Sequence, residues 1–168
     1  MTNNPKRILS INPGSRYLGI AVFQDLELIE WGIRSVNGKC QKEKREAAKG
    51  IISDLILRYQ PNVLALKKLH PSRSSPNLDN LVCELRKLGR KKSLRIFEYP
   101  LEKIETSFSG AGKINKRQMA ELIIREYPFL SNEFRRENTN LNPYHIRMFE
   151  AVALGLVYLH HIDKSMNH

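Results

Sequence analysis

Short apolar runs and longer stretches with a helical period alternate along this chain. Ile8, Leu9 and Ile11 cluster within Arg7–Asn12, and Pro13-Gly14 closes the run, so this segment predicts a buried strand. Tyr17–Gln24 and Glu27–Arg34 read as two further strands around a turn at Asp25, giving an antiparallel start. Across residues 41–60, Ala48, Ile51, Ile52, Leu55, Ile56 and Tyr59 fall on one stripe of a helix that Pro61 ends. Val63–Lys67 is an apolar run of strand length, expected inside a sheet flanked by helices.

In the second half, His70–Pro76 is a polar, proline-bounded loop. Asn77–Leu88 predicts a helix with Asn77 as its cap, Ser93–Tyr99 a strand and Leu101–Phe108 a short helix. Gly110-Ala111-Gly112 marks a turn, and Asn115–Tyr127 a helix capped by Asn115. Ser131–Asn140 is polar and charged and is expected as a mobile surface segment. Asn142-Pro143 opens the last helix with a capping side chain and a proline at the first position. That helix is almost wholly apolar from Ala151 to Leu159, hence buried. The order of elements predicts an α/β fold: a mixed five-stranded sheet, its first three strands antiparallel, with helices on both faces. Helix-connected strands should be parallel and cross over right-handedly. The 168 residues suit one domain, 1–168.

Charge adds a partner to this picture. Lys and Arg number 28 against 17 Asp and Glu, a formal net charge of +11. Such an excess favours a polyanion through phosphate neutralisation and counter-ion release. No basic amphipathic helix carries large apolar anchors, and no uncharged stretch approaches ~18 apolar residues, so a membrane partner is not expected. Cys40 and Cys83 make no metal-type spacing and read as reduced thiols. The opening MTNNPKR lacks the apolar run of a signal peptide. These features together predict a cytoplasmic protein.

Four segments carry a resemblance, in order. They are Ile11-Asn12-Pro13-Gly14-Ser15-Arg16 with Gly19; Val63–Lys67 following Tyr59-Gln60-Pro61; Glu98-Tyr99-Pro100 through Gly110-x-Gly112 and Lys116; and Glu150–Gly155. Together they resemble the RuvC-type Holliday junction resolvases of the ribonuclease-H-like superfamily, from about residue 7 to 161. The resemblance implies that fold, binding of branched DNA and a metal-dependent crossover junction endonuclease. It also implies a two-fold homodimer; Leu78, Leu81, Val82 and Leu85 are its candidate interface.

The family's chemistry uses two divalent ions about 3.5–4 Å apart, held by several carboxylates. At the positions the resemblance assigns to those acids, this chain has Asn12, Lys67, Arg147 and Glu150. Four acids would sum to about −4, whereas these side chains sum to about +1. Each cation beside a metal ion is repelled by ~4 kcal/mol per unit-charge pair at 4 Å and an effective dielectric of ~20. No metal and no other cofactor is therefore expected. Arg147 and Glu150, three apart on a helix, can meet, and Lys67 could reach the same carboxylate. Such a cluster serves either a phosphate or only its own ion pairs, and the residues alone leave both open.

Further cations are candidates for nucleic-acid contact: Arg16, Lys67, Arg73, and Lys113, Lys116 and Arg117 after the glycine pair. The resemblance places Lys116 near the DNA backbone. His70 stands about where relatives carry an aromatic that engages bases. Glu105 departs from the family, which has a lysine in that helix. Arg86, Lys87, Arg90, Lys91 and Lys92 form a basic cluster that is either a phosphate-contacting edge or a solvated turn. His145, His160 and His161 make no metal spacing. Three functions follow: a nucleic-acid binder, DNA above all, that has lost cleavage; an active nuclease using Mg²⁺ or Mn²⁺ on displaced acids such as Asp25 or Asp79 with Glu150; or an assembly protein keeping only the fold.

Overall fold

The computed structural model describes residues 6–109, 114–139 and 146–166. Its strands are β1 (Arg7–Asn12), β2 (Tyr17–Gln24), β3 (Glu27–Ser35), β4 (Val63–Lys67) and β5 (Arg95–Tyr99). Its helices are α1 (Gln41–Tyr59), α2 (Pro76–Lys91), α3 (Leu101–Ser109), α4 (Lys116–Glu126), α5 (Ser131–Thr139) and α6 (Ile146–Met166). The strands form one sheet in the order β3-β2-β1-β4-β5. The β1–β2 and β2–β3 pairs are antiparallel, and the β1–β4 and β4–β5 pairs parallel. This is the mixed five-stranded sheet that the apolar pattern predicts.

Strand periodicity divides β1 between two cores. Leu9 and Ile11 join Leu18, Ile20, Val22, Leu64 and Leu66 in a cluster completed by α1 and α2. Ile8, on the opposite face, joins Ala21, Phe23 and the buried run of α6. Residues Met148–Leu159 of α6 are buried throughout. Among the described residues no helix is long and apolar enough to cross a membrane. A Cβ on Gly19 would overlap the carbonyl of Arg147, so glycine there lets α6 begin against β2.

Four expectations change. The cap of α2 is Ser75, whose Oγ accepts from Leu78 N at 3.2 Å, with Pro76 as the first helical residue; Asn77 lies inside the first turn. Residues 131–139, expected as mobile, form α5, which opens directly after a single turn at Pro128–Leu130. Strand β5 starts at Arg95, because Ser93 takes a left-handed φ of 63° that is incompatible with a strand. Leu81 and Leu85 belong to the protein's own core against α1 and the sheet, Val82 is buried, and Leu78 packs beside them. That face of α2 therefore cannot serve as a dimer interface. Asn115 does cap α4, with Gln118 completing a reciprocal capping box. The expected turn at Gly110–Gly112 and the helix start at Asn142-Pro143 lie outside the described residues.

Candidate functional site

The parallel pairing of β1 with β4 brings their carboxyl ends together, with Ile11 beside Leu66, so Asn12 and Lys67 end neighbouring strands. Helix α6 crosses this end and directs Glu150 between them. Asn12 and Glu150 are 2% and 3% exposed. Asn12 Nδ2 donates to Glu150 Oε2 at 2.7 Å and to the Arg147 carbonyl at 3.3 Å. Lys67 Nζ donates to the same Oε2 at 2.7 Å. Lys116, the first residue of α4, places its Nζ 3.1 Å from Oε1. That contact is an ion pair without hydrogen-bond alignment, since Oε1 has no aligned donor. Burial pushes the Glu150 carboxyl up, but the ammonium groups of Lys67 and Lys116 outweigh it and hold the group below its ordinary value.

Arg147 turns away from this cluster. Its guanidinium lies over Gly14, where a Cβ would overlap Nη1. The expected Arg147–Glu150 contact is therefore replaced by the pairs from Lys67 and Lys116. Glycine at 14 opens the space that Arg147 occupies, and the carboxylate already has two cations. A cleft of about 370 Å³ opens over the cluster, lined by Asn12, Gly14, Arg73, Lys116, Arg147 and Glu150. A second depression, between the loop after β4 and the start of α3, shares Lys67, Leu69 and Arg73 with it and adds His70, Pro71 and Leu101.

The divalent ions that the resemblance implies do not suit these residues. The single carboxylate already receives Lys67 and Asn12 on one oxygen, and the Asn12 amide presents its donor, not its oxygen, to that carboxylate. Among the described residues no three of His, Cys, Asp and Glu converge. A hard cation needs several oxygen ligands with compensating charge, and here ammonium groups stand 2.7 and 3.1 Å from the carboxylate.

The remaining candidates are dispersed. Arg16 is exposed, and its carbonyl accepts from Val36 N. His70 is exposed, with Nδ1 2.6 Å from Ser72 Oγ and accepting from Ser72 N at 3.1 Å. Arg73 is exposed and lines both depressions. Arg117 points to solvent and pairs with Glu121 at 3.4 Å. Lys113 and His145 lie outside the described residues. Asp25 sits at the opposite end of β1 from Asn12, bonded to Lys6 N, about 17 Å away at strand rise. It cannot join Glu150 at one metal. Asp79 is tied to Ser74 Oγ at the start of α2. In the basic cluster Arg86 is bound to Glu98 of β5, and Lys87 lies 3.9 Å from Glu84. His160 packs near Phe108, ring centroids 6.5 Å apart, and Glu105 is half-buried on α3. The inward reach of Lys116 is the contact that residue order missed. Its signal was the Asn115 cap, which fixes where α4 begins.

No protein-family model matches the chain. The crossover junction endodeoxyribonuclease RuvC of Stutzerimonas stutzeri is 24% identical over 169 residues, covering 96% of this chain and 90% of that protein. The structure is similar to that of Thermus thermophilus RuvC, with a TM-score of 0.71 and 16% identity over 90% of this chain and 92% of that one. It is also similar to T. thermophilus RuvC in complex with Holliday junction substrate, with a TM-score of 0.68, 14% identity and coverage of 90% and 91%.

Proposed function

We propose, from the premise that this chain is RuvC-like in sequence and in fold, that it binds DNA, branched or duplex, and has lost metal-dependent endonuclease activity. One observation carries this reading. The buried Glu150 carboxylate is held by Lys67 and Lys116 at the convergence of strand ends where the resemblance expects a ring of acids. The net charge of +11 supports a polyanionic partner. The T. thermophilus complex shows that the fold can seat junction DNA. Arg16, Arg73, Lys113 and Arg117 are the proposed backbone contacts, with His70 beside a base; Lys67 and Lys116, expected among them, are engaged instead by Glu150. The protein acts in the cytoplasm as one domain and as a homodimer, through a surface other than the buried face of α2.

The test is a titration against four-way junction, duplex and single-stranded DNA, run beside a cleavage assay in Mg²⁺ and Mn²⁺. Affinity should fall steeply with salt, and the junction should stay uncut. Metal-dependent cutting by the unmodified protein would overturn the reading; absence of DNA binding would leave only an assembly role. The triple change Asn12→Asp, Lys67→Glu and Arg147→Asp should restore divalent-ion binding, read by calorimetry.

A further inference from the structure

We infer that Arg147 is the anion-receiving group of the cleft and seats one phosphate without a divalent ion, while Lys67 and Lys116 act as built-in counter-ions of Glu150. This rests on the DNA-binding reading and assigns the group at its centre. The three cations differ in what they already touch. Lys67 is 17% exposed and hydrogen-bonded to Oε2 at 2.7 Å, so its charge is committed. Lys116 is 44% exposed and lies 3.1 Å from Oε1. Arg147 pairs with no acid among the described residues, and its guanidinium stands in the cleft over Gly14.

Charge selects the ligand. Lys67, Lys116 and Arg147 against the single acid Glu150 leave a formal +2 facing the cleft, and Arg73 adds to it at the rim. A phosphodiester carries one negative charge and a terminal phosphate about −1.5 to −2, so a single phosphate matches the site. A guanidinium presents a planar fork that takes two phosphate oxygens at once, which an ammonium cannot do. In a metal-dependent site, divalent ions would neutralise both the acids and the phosphate. Here the two lysines more than offset Glu150, leaving +1, and Arg147 meets the phosphate, so binding needs no dissolved Mg²⁺.

The experiment measures binding in EDTA of inorganic phosphate, and of one short single-stranded oligonucleotide with and without a 5′-phosphate. Wild-type binding should persist in EDTA and should not strengthen when Mg²⁺ is added at matched ionic strength. Arg147→Ala should weaken oligonucleotide binding at least about tenfold, and Arg147→Lys should fall between, because it keeps the charge and loses the fork. Arg58→Ala, exposed in the last turn of α1 and remote from the cleft, should change it less than about twofold. Preference for the 5′-phosphorylated strand would assign the seat to a terminal phosphate, and equal affinity to an internal phosphodiester. Circular dichroism of each variant confirms folding, and Arg147→Gln, which keeps most of the side-chain stem, replaces Arg147→Ala if the latter does not fold. Unchanged affinity in folded Arg147 variants would remove the seat while leaving DNA binding intact. Loss of wild-type binding in EDTA would also overturn it. Arg147-dependent capture of inorganic phosphate by a protein that binds no DNA would keep the seat and remove the proposed function.

Discussion

The two faces of the sheet are built from the same strands by different rules. On the face covered by α1 and α2, Leu9, Ile11, Leu18, Ile20, Val22, Leu64 and Leu66 form a continuous apolar centre, with polar side chains such as Arg7 and Glu98 at its margins. On the face covered by α6, β1 presents Ile8, then Ser10 and Asn12, both buried. Each polar residue there has a partner on the helix: Ser10 Oγ donates to the Ala151 carbonyl at 2.7 Å, and Asn12 meets Glu150. One face is held by an apolar centre whose polar contacts, Arg86 with Glu98 and Lys49 with Glu84, stay partly exposed. The other holds a buried charge, tolerable only because a fixed set of donors surrounds it.

The largest expected effect would break this contrast. Lys67→Met leaves Glu150 with one misaligned cation and the Asn12 amide, and should cost about 3–5 kcal/mol in urea unfolding. Adding Glu150→Leu removes the stranded carboxylate and should recover most of that loss. A single-variant loss below about 1 kcal/mol would mean that Lys67 is dispensable.

Ile20→Ala, on the apolar face, should cost about 2–5 kcal/mol through transfer and cavity terms, yet leave the folded protein's DNA affinity unchanged. An affinity change would mean that the faces are coupled.

Acid should separate the faces by a smaller amount. Glu150 has a folded pKa below its unfolded value of about 4.3, so its ion pairs stabilise fully above that pH. The contribution is lost as pH falls through the lower folded value. Glu150→Gln should flatten that segment of the pH–stability curve, and an unaltered acid limb would show the pairs to be inconsequential. Smallest is Ser10→Ala, expected at about 0.5–1 kcal/mol by thermal unfolding, since the Ala151 carbonyl belongs to a helix and loses only an added donor.

Much of this was legible in residue order. Apolar runs of strand length located β1, β2, β3 and β4, the Pro61 and Asn115 signals bounded helices, and the unbroken Ala151–Leu159 run required a buried α6. The juxtaposition of Asn12, Lys67 and Glu150 was an expectation of the resemblance, and the structure puts the three in contact. Local polarity misled at 131–139, because a nine-residue helix can form with mostly polar residues while Phe134 packs on the core.

What the sequence alone determined is the alternation that sorts β1 between two cores and the excess of cations. Both follow from period and composition, which are local properties. Only the tertiary structure decided which cation neutralises Glu150. Arg147 was nearest along the helix, yet Gly14 opens a space that takes its guanidinium, and Lys116 arrives from the start of α4 instead. A long charged side chain reaches wherever neighbouring backbones leave room, and that room belongs to elements distant in sequence.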